Sequence, residues 1–158
     1  MLEIVIGENQ LVLREKAKPV ERITKDIKKL AKEMEHTLIQ AKGLGIAAPQ
    51  VNHGIRLFLA YLNYNTPKER LEIFINPEIT YLSPQTNIQE EGCLSLPNRF
   101  GNVQRSTEVT VTYTNLKGQP LTLNLKDMDA RVVQHETDHL NGILFIDKEV
   151  NRKEHLRL

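Results

Sequence analysis

The 158-residue chain has a single cysteine, Cys93. An intrachain disulfide is therefore excluded. A reducing compartment fits a lone thiol that serves as core filler, metal ligand or nucleophile. No run of about 18 apolar residues occurs, which excludes a membrane-spanning helix. The formal charge is only +1, with 21 basic and 20 acidic residues, so there is no global electrostatic case for nucleic acid. The opening MLEIVIGENQ lacks a basic segment followed by an apolar core and a small-residue cleavage site, and no secretory signal is expected. Internal repeats and low-complexity tracts are missing as well. What remains is an ordinary globular balance, 40% hydrophobic and 26% charged. The length suits one domain, residues 1–158, with a core of its own.

In ITKDIKKLAKEMEHTLIQAKG, Ile27, Leu30, Met34 and Leu38 recur at helical spacing among charged residues. Thr24 is the expected N-cap, Asp26 favours the first turn, and Gly43 is the expected stop. The next segment, GLGIAAPQ, is built of small residues that let backbone approach another group closely. Strands are expected over 56–62, 71–75, 78–82, 108–114 and 120–125, the last two forming a hairpin through NLKG. Asp127 is expected to cap a second helix running through QHETDHL to Asn141 and Gly142, with ILFID as one more short strand. Local connections of this kind predict an α+β fold with largely antiparallel sheet, its second helix carrying the histidines.

In QHETDHLNG, His135 and His139 stand four apart. On a helix that spacing puts both imidazoles on one face, able to reach one ion. Glu136 lies ~100° round from His135, near such an ion but poorly placed as a third helical ligand. This is the H-E-x-x-H pattern, in which the glutamate handles protons. The plain alternative is a pair of surface or core histidines. In EEGCLSLP, Cys93 is either a small buried hydrophobe or the missing ligand. One Cys and two His leave a fourth position open, the form of a catalytic site for zinc or a related divalent ion. His36, His53 and His155 are not expected as ligands.

Together, GLGIAAPQ, EGCLSLP and QHETDHLNG resemble the peptide deformylase family in content, order and separation, over roughly Leu13 to Asp147. The resemblance implies an α+β fold with antiparallel sheets around a central metal-bearing helix. It implies a hydrolase that removes the formyl group from the N-terminal formyl-methionine of new proteins and releases formate. Cys93, His135 and His139 would hold one divalent metal ion, with water in the fourth position. Fe2+ is the ion the family implies; ligand softness also permits Zn2+, Ni2+ or Co2+. A ferrous ion beside a thiolate predicts oxygen sensitivity. Glu136 would take the proton of the water and pass it to the leaving amine. The Gln50 side-chain amide and the Leu94 backbone N–H would donate to the oxygen on which charge grows, each such donor being worth ~3 kcal/mol. Alone, Gln50 reads as a loop amide satisfying nearby backbone. Gly45 and Ile46 would offer backbone to an extended peptide, with Gly92 on the other side. Val132 joins Gly45, Ile46, Leu94 and the His135 ring as candidates for the methionine pocket, with Met128 and Arg131 near its rim. Val132 reads equally well as core. Asp138 is either a solvated helix acid or, by the family pattern, an ion-pair partner of Arg105.

The chain departs from the family pattern in three places. Ile46 stands where leucine is common, IGENQLVL lacks a frequent Pro-Asp-Pro turn, and only about a dozen residues follow Ile146 where many bacterial members continue into a long helix. The last departure weakens the case for a ribosome contact. Lys148, Arg152, Lys153 and Arg157 could meet RNA phosphates, but Asp147, Glu149 and Glu154 nearly balance them, favouring a solvated tail. The expected partners are N-formyl-methionyl nascent peptides, with no membrane and no specific nucleic acid, in a bacterial cytoplasm. Three rivals stand beside this reading: a zinc peptidase needing a further downstream ligand, a Cys93 nucleophile with histidine as base, and a metal-stabilised binding module without turnover.

Overall fold

A computed structural model describes residues 1–150. The chain begins with an extended segment and the four-residue helix α1, Leu11–Arg14. Helix α2, Lys25–Ala41, follows, then a short strand β1, Gly45–Ala47, and a 3-10 turn, Ala48–Val51. Strands β2 (Leu57–Leu62), β3 (Arg70–Leu82), β4 (Thr86–Cys93), β5 (Leu96–Ser106), β6 (Glu108–Thr114) and β7 (Pro120–Lys126) come next. Helix α3, Asp127–Leu140, and a second 3-10 turn, Phe145–Lys148, complete the described chain. Five strands form one sheet in the order β1-β2-β3-β6-β7, and β4 and β5 form a separate hairpin. Every strand pair is antiparallel.

Strand β2 organises the core. Its residues alternate between two apolar clusters, as period-2 geometry requires. Leu57 and Leu59 face Leu30, Met34 and Leu38 of α2. Phe58, Ala60 and Leu62 face Ala130, Val133 and Leu140 of α3. A strand covered on both sides is apolar throughout, which is why LFLAYL reads as a continuous run. On the α3 side Phe74 stacks on Phe58 at 4.6 Å and meets Tyr113 at 4.4 Å between ring centroids. Helix α3 is thereby pressed onto the sheet, and nearly all of its second half is buried.

Thr24 caps α2 as expected, accepting from the Ile27 N–H at 3.3 Å. Its end differs. Lys42, not Gly43, takes the left-handed conformation, with φ 55°. Gly43 answers a different need: a Cβ there would sit 3.0 Å from both Leu38 Cδ1 and Leu94 Cδ1. The separate strands expected over 71–75 and 78–82 are one strand with irregular register around Asn76 and Pro77. Pro77, lacking an N–H, falls where the ladder is broken. Asn76, at φ 49°, exchanges two side-chain hydrogen bonds with the Val20 backbone, both 2.8 Å. The β6–β7 hairpin forms as read from NLKG. Asp127 opens α3 as its first residue; Lys126 holds the cap position and makes no side-chain capping bond.

Two further differences from the sequence reading stand out. ILFID is no strand: Phe145–Lys148 is a 3-10 turn in which the Asp147 carboxylate accepts the Leu144 N–H at 2.9 Å and pairs with Arg14 at 2.5 Å. A side chain that satisfies nearby backbone competes with strand pairing. The second correction is the β4–β5 hairpin, unexpected from the sequence. Most of its residues are exposed or half-exposed, so no apolar alternation marks it. Its tight connection uses Leu94 and Ser95, not glycine or asparagine.

Candidate active site

Three elements converge on one point. Strand β4 ends at Cys93, α3 presents His135 and His139 from successive turns, and the 3-10 turn after β1 presents Gln50. One ligand atom each from Cys93, His135 and His139 lies within 4.8 Å of the others. Cys93 Sγ is 3.4 Å from His139 Nε2, and the two imidazole centroids are 5.1 Å apart. His135 Nδ1 is engaged by Glu91 Oε1 at 2.8 Å, which leaves its Nε2 for a ligand. A carboxylate behind a ligating histidine fixes ring orientation and raises basicity. One thiolate and two imidazoles with an open position fit a catalytic divalent ion.

Glu91 was not singled out from the sequence, yet it organises the site's support. It lies buried in β4 and takes two bonds from Arg105, at 2.8 and 2.9 Å, one from Arg131 at 2.5 Å, and the His135 contact. Burial alone would raise its pKa, but the hydrogen bonds from Arg105 and His135 hold it well below the carboxylate range. Arg105 also reaches Asp138 at 2.7 Å, the pairing expected from the family pattern. Lys148 adds a second cation to Asp138 at 3.0 Å, so it is no free tail charge. The one available sequence signal for Glu91 was a doubled acid immediately before the Gly-Cys pair. Its burial follows only once β4 lies against β5 and α3.

Glu136 is 3% exposed, and its Oε2 has no hydrogen-bond partner among the described residues. Burial pushes its carboxyl up to about 7, although the neighbouring His135 acts the other way. Such a group can both take and return a proton near neutral pH. For His139, burial lowers the pKa well below its ordinary value, aided by His135 and Arg105, so the ring is neutral and able to ligate. For His135, burial opposes protonation, but hydrogen bonding to Cys93 and Glu91 holds the pKa up to about 10. Metal binding at this ring therefore releases a proton.

A cavity of about 610 Å³ opens over these groups, lined by Gly45, Gln50, Gly92, Cys93, Leu94, Val132, His135 and Glu136 among others. That volume lies within the range of small-ligand clefts. Val132 is both core and cavity wall, being 7% exposed and packed with Val133 and Leu140. Met128 is exposed at the rim. Arg131 lines the cavity too, but its guanidinium is committed to Glu91, the Val103 carbonyl and Asn87.

Ile46 is placed otherwise than expected. Its side chain is fully buried against Leu38 and Leu59, away from the cavity. The Tyr61 N–H donates to the Leu44 carbonyl, so in the antiparallel alternation Leu44 and Ile46 direct their backbone groups toward β2. Gly45 directs its own to the open edge of the sheet, because β1 is an edge strand. A Cβ on Gly45 would lie 2.6 Å from Glu136 Oε1, and one on Gly92 would lie 2.9 Å from the Phe100 ring. Both glycines therefore allow close approach at the cleft. His36 and His53 lie outside the ligand group. His155, Arg152, Lys153, Glu154 and Arg157 lie outside the described residues.

An antiparallel α+β scaffold whose buried helix brings H-E-x-x-H to a cysteine fits the class of metal-dependent hydrolases. The polypeptide deformylase profile matches residues 1–155. A peptide deformylase from Pseudothermotoga lettingae is 46% identical over 136 residues, 86% of this chain and 76% of that one. One from Synechocystis is 43% identical over 89% of this chain and 75% of its own length. The crystal structure of peptide deformylase from Thermotoga maritima superposes with a TM-score of 0.89 at 38% identity, covering 96% of this chain and 99% of that one. The chain belongs to the polypeptide deformylase family. It is a metal-dependent hydrolase that removes the N-formyl group from newly made peptides.

Proposed function

We propose that Cys93, His135 and His139 hold a ferrous ion and that Glu136 carries the proton in deformylation of formyl-methionyl peptides. The observation that supports this most is the Cys-His-His group within 4.8 Å, beside the buried Glu136, whose Oε2 has no hydrogen-bond partner among the described residues. When bound, the ion supplies Lewis acidity that makes water nucleophilic near neutral pH. Glu136 takes the water's proton and returns it to the leaving amine. The Gln50 amide and the Leu94 N–H stabilise negative charge on the formyl oxygen as its carbon becomes tetrahedral. The open edge at Gly45 and the facing Gly92 hold the peptide backbone extended between them. Val132, Leu94 and the His135 ring wall the methionine side chain. Residues 1–158 act as one catalytic unit. The reaction belongs in the cytoplasm, on chains emerging from the ribosome, where formyl-methionyl termini arise.

The test is formate release from a formyl-Met dipeptide by anaerobically prepared, iron-loaded protein. Glu136→Ala is expected to lose at least about 100-fold in kcat while keeping its metal. Full activity in that variant would remove Glu136 from the mechanism. No release from the folded, iron-loaded wild type would leave a binding role instead.

A further inference from the structure

The geometry points to Ser95 as a positioning residue for the catalytic amide of Gln50. This rests on the reading of Gln50 as a donor to the formyl oxygen. Ser95 is fully buried in the turn between β4 and β5, inside the EGCLSLP segment, where no role was read for it from the sequence.

The orientation of the Gln50 amide is fixed by a donor that can only donate. The Ala47 backbone N–H points to Gln50 at 2.9 Å, so the atom it meets is Oε1. The NH2 group therefore faces the other way, with two hydrogens to place. Ser95 Oγ accepts from Nε2 at 3.2 Å. Nε2 also donates to Cys93 Sγ at 3.4 Å, within the Cys-His-His group. Because a carboxamide is planar, anchoring one N–H on Ser95 holds the other on the Cys93 side, toward the Cys-His-His group where a formyl oxygen would compete for it. With the Ser95 hydroxyl gone, that N–H loses its acceptor and the plane loses its second anchor.

The backbone independently ties the two residues together. In the extended N-terminal segment, the Val5 N–H donates to the Gln50 carbonyl at 2.8 Å. Two residues on, the Gly7 N–H donates to the Ser95 carbonyl at 2.9 Å. One short segment thus holds both residues in register, and both are at most 1% exposed. A hydroxyl present only to satisfy its own turn would not need an acceptor geometry matched to the amide.

The experiment is a double-mutant cycle in metal-loaded protein, read as formate release, with metal content and thermal midpoint measured on each variant. Ser95→Ala is expected to lower kcat about tenfold with KM and metal content unchanged, less than the 10²–10³-fold typical for removing an oxyanion donor itself. In a Gln50→Ala background the same change should have no further effect, because it acts through the missing amide. Ser95→Thr, which keeps the hydroxyl, should restore most of the rate. Wild-type kcat in Ser95→Ala, or an equal loss in both backgrounds, would overturn the assignment. Wild-type kcat in Gln50→Ala would instead overturn the reading of Gln50 itself, and NMR separates the two cases. In zinc-loaded wild-type protein, the Gln50 side-chain NH2 signals, identified by their loss in Gln50→Ala, should be protected from exchange with water. Rapid exchange there would sink the Ser95 anchor without any variant at position 95. Exchange at least tenfold faster in Ser95→Ala would support it.

Discussion

Glu91 shows how much a single buried carboxylate can carry. Three cationic or protonatable side chains, Arg105, Arg131 and His135, depend on it. Glu91→Ala would leave two guanidinium groups without their main partner, at a cost of about 3–5 kcal/mol, measured by urea unfolding. The sign of the pH effect follows from the lowered pKa. The folded value lies below the ordinary 4.5, so the stabilisation is present above about pH 4.5 and is lost as pH falls through the folded value. Asp147 adds to the same acid limb: burial opposes ionisation there, but Arg14 and the Leu144 N–H lower its pKa. Urea unfolding of metal-free protein between pH 6 and 3 should show a shallower loss for Glu91→Gln than for wild type. Identical slopes would mean that Glu91 is not the group titrating. At this scale the Cys93, His135 and His139 group was legible because metal chemistry restricts residue type and spacing. Glu91 and Ser95 were not, because an acid or a hydroxyl acquires its role only from what is packed against it.

At the scale of elements, the cleft lies where the edge strand β1 and the β4–β5 hairpin approach α3. Gly45 sits at the tightest point, where an added Cβ would lie 2.6 Å from Glu136 Oε1 and 2.9 Å from its Cδ and Cγ. Neither group can yield easily, since β1 is tied to β2 and Glu136 is buried. Gly45→Ala is expected to displace the carboxylate, lowering kcat at least tenfold and stability by about 1–3 kcal/mol, the cost typical of overpacking. An active, equally stable variant would show that the carboxylate has room to move. The helices and the β6–β7 hairpin were readable because each carries its own period and caps. The β4–β5 hairpin was not: its mostly exposed residues carry no apolar alternation, and it is held by its own pairing, by Leu96 and Val103 packing with Leu13, Leu144 and Phe145, and by the Arg105 and Arg131 bonds.

At the scale of the whole molecule, an ion bound only by the folded state should also stabilise it by mass action. Chelation is therefore expected to abolish formate release and lower the thermal midpoint by several degrees, both restored by ferrous iron under argon. Air should inactivate the ferrous protein through oxidation of the ion or of Cys93, while a zinc-loaded sample should be indifferent. Equal air sensitivity of the two would place the damage at the thiol. The sequence by itself determined the presence of one cysteine and two histidines four apart, the carboxylate of Glu136 beside them, and the alternation that builds the sheet core. These are local properties, set by side-chain chemistry and by the periods of helix and strand. Only the tertiary structure decided that Ile46 turns away from the cleft while Gly45 faces it, that ILFID closes as a turn against Arg14, and that Glu91 holds the site together from behind. Each of those outcomes depends on which distant residue arrives alongside, and that is fixed by the packing of the sheet, the hairpin and α3 around one point.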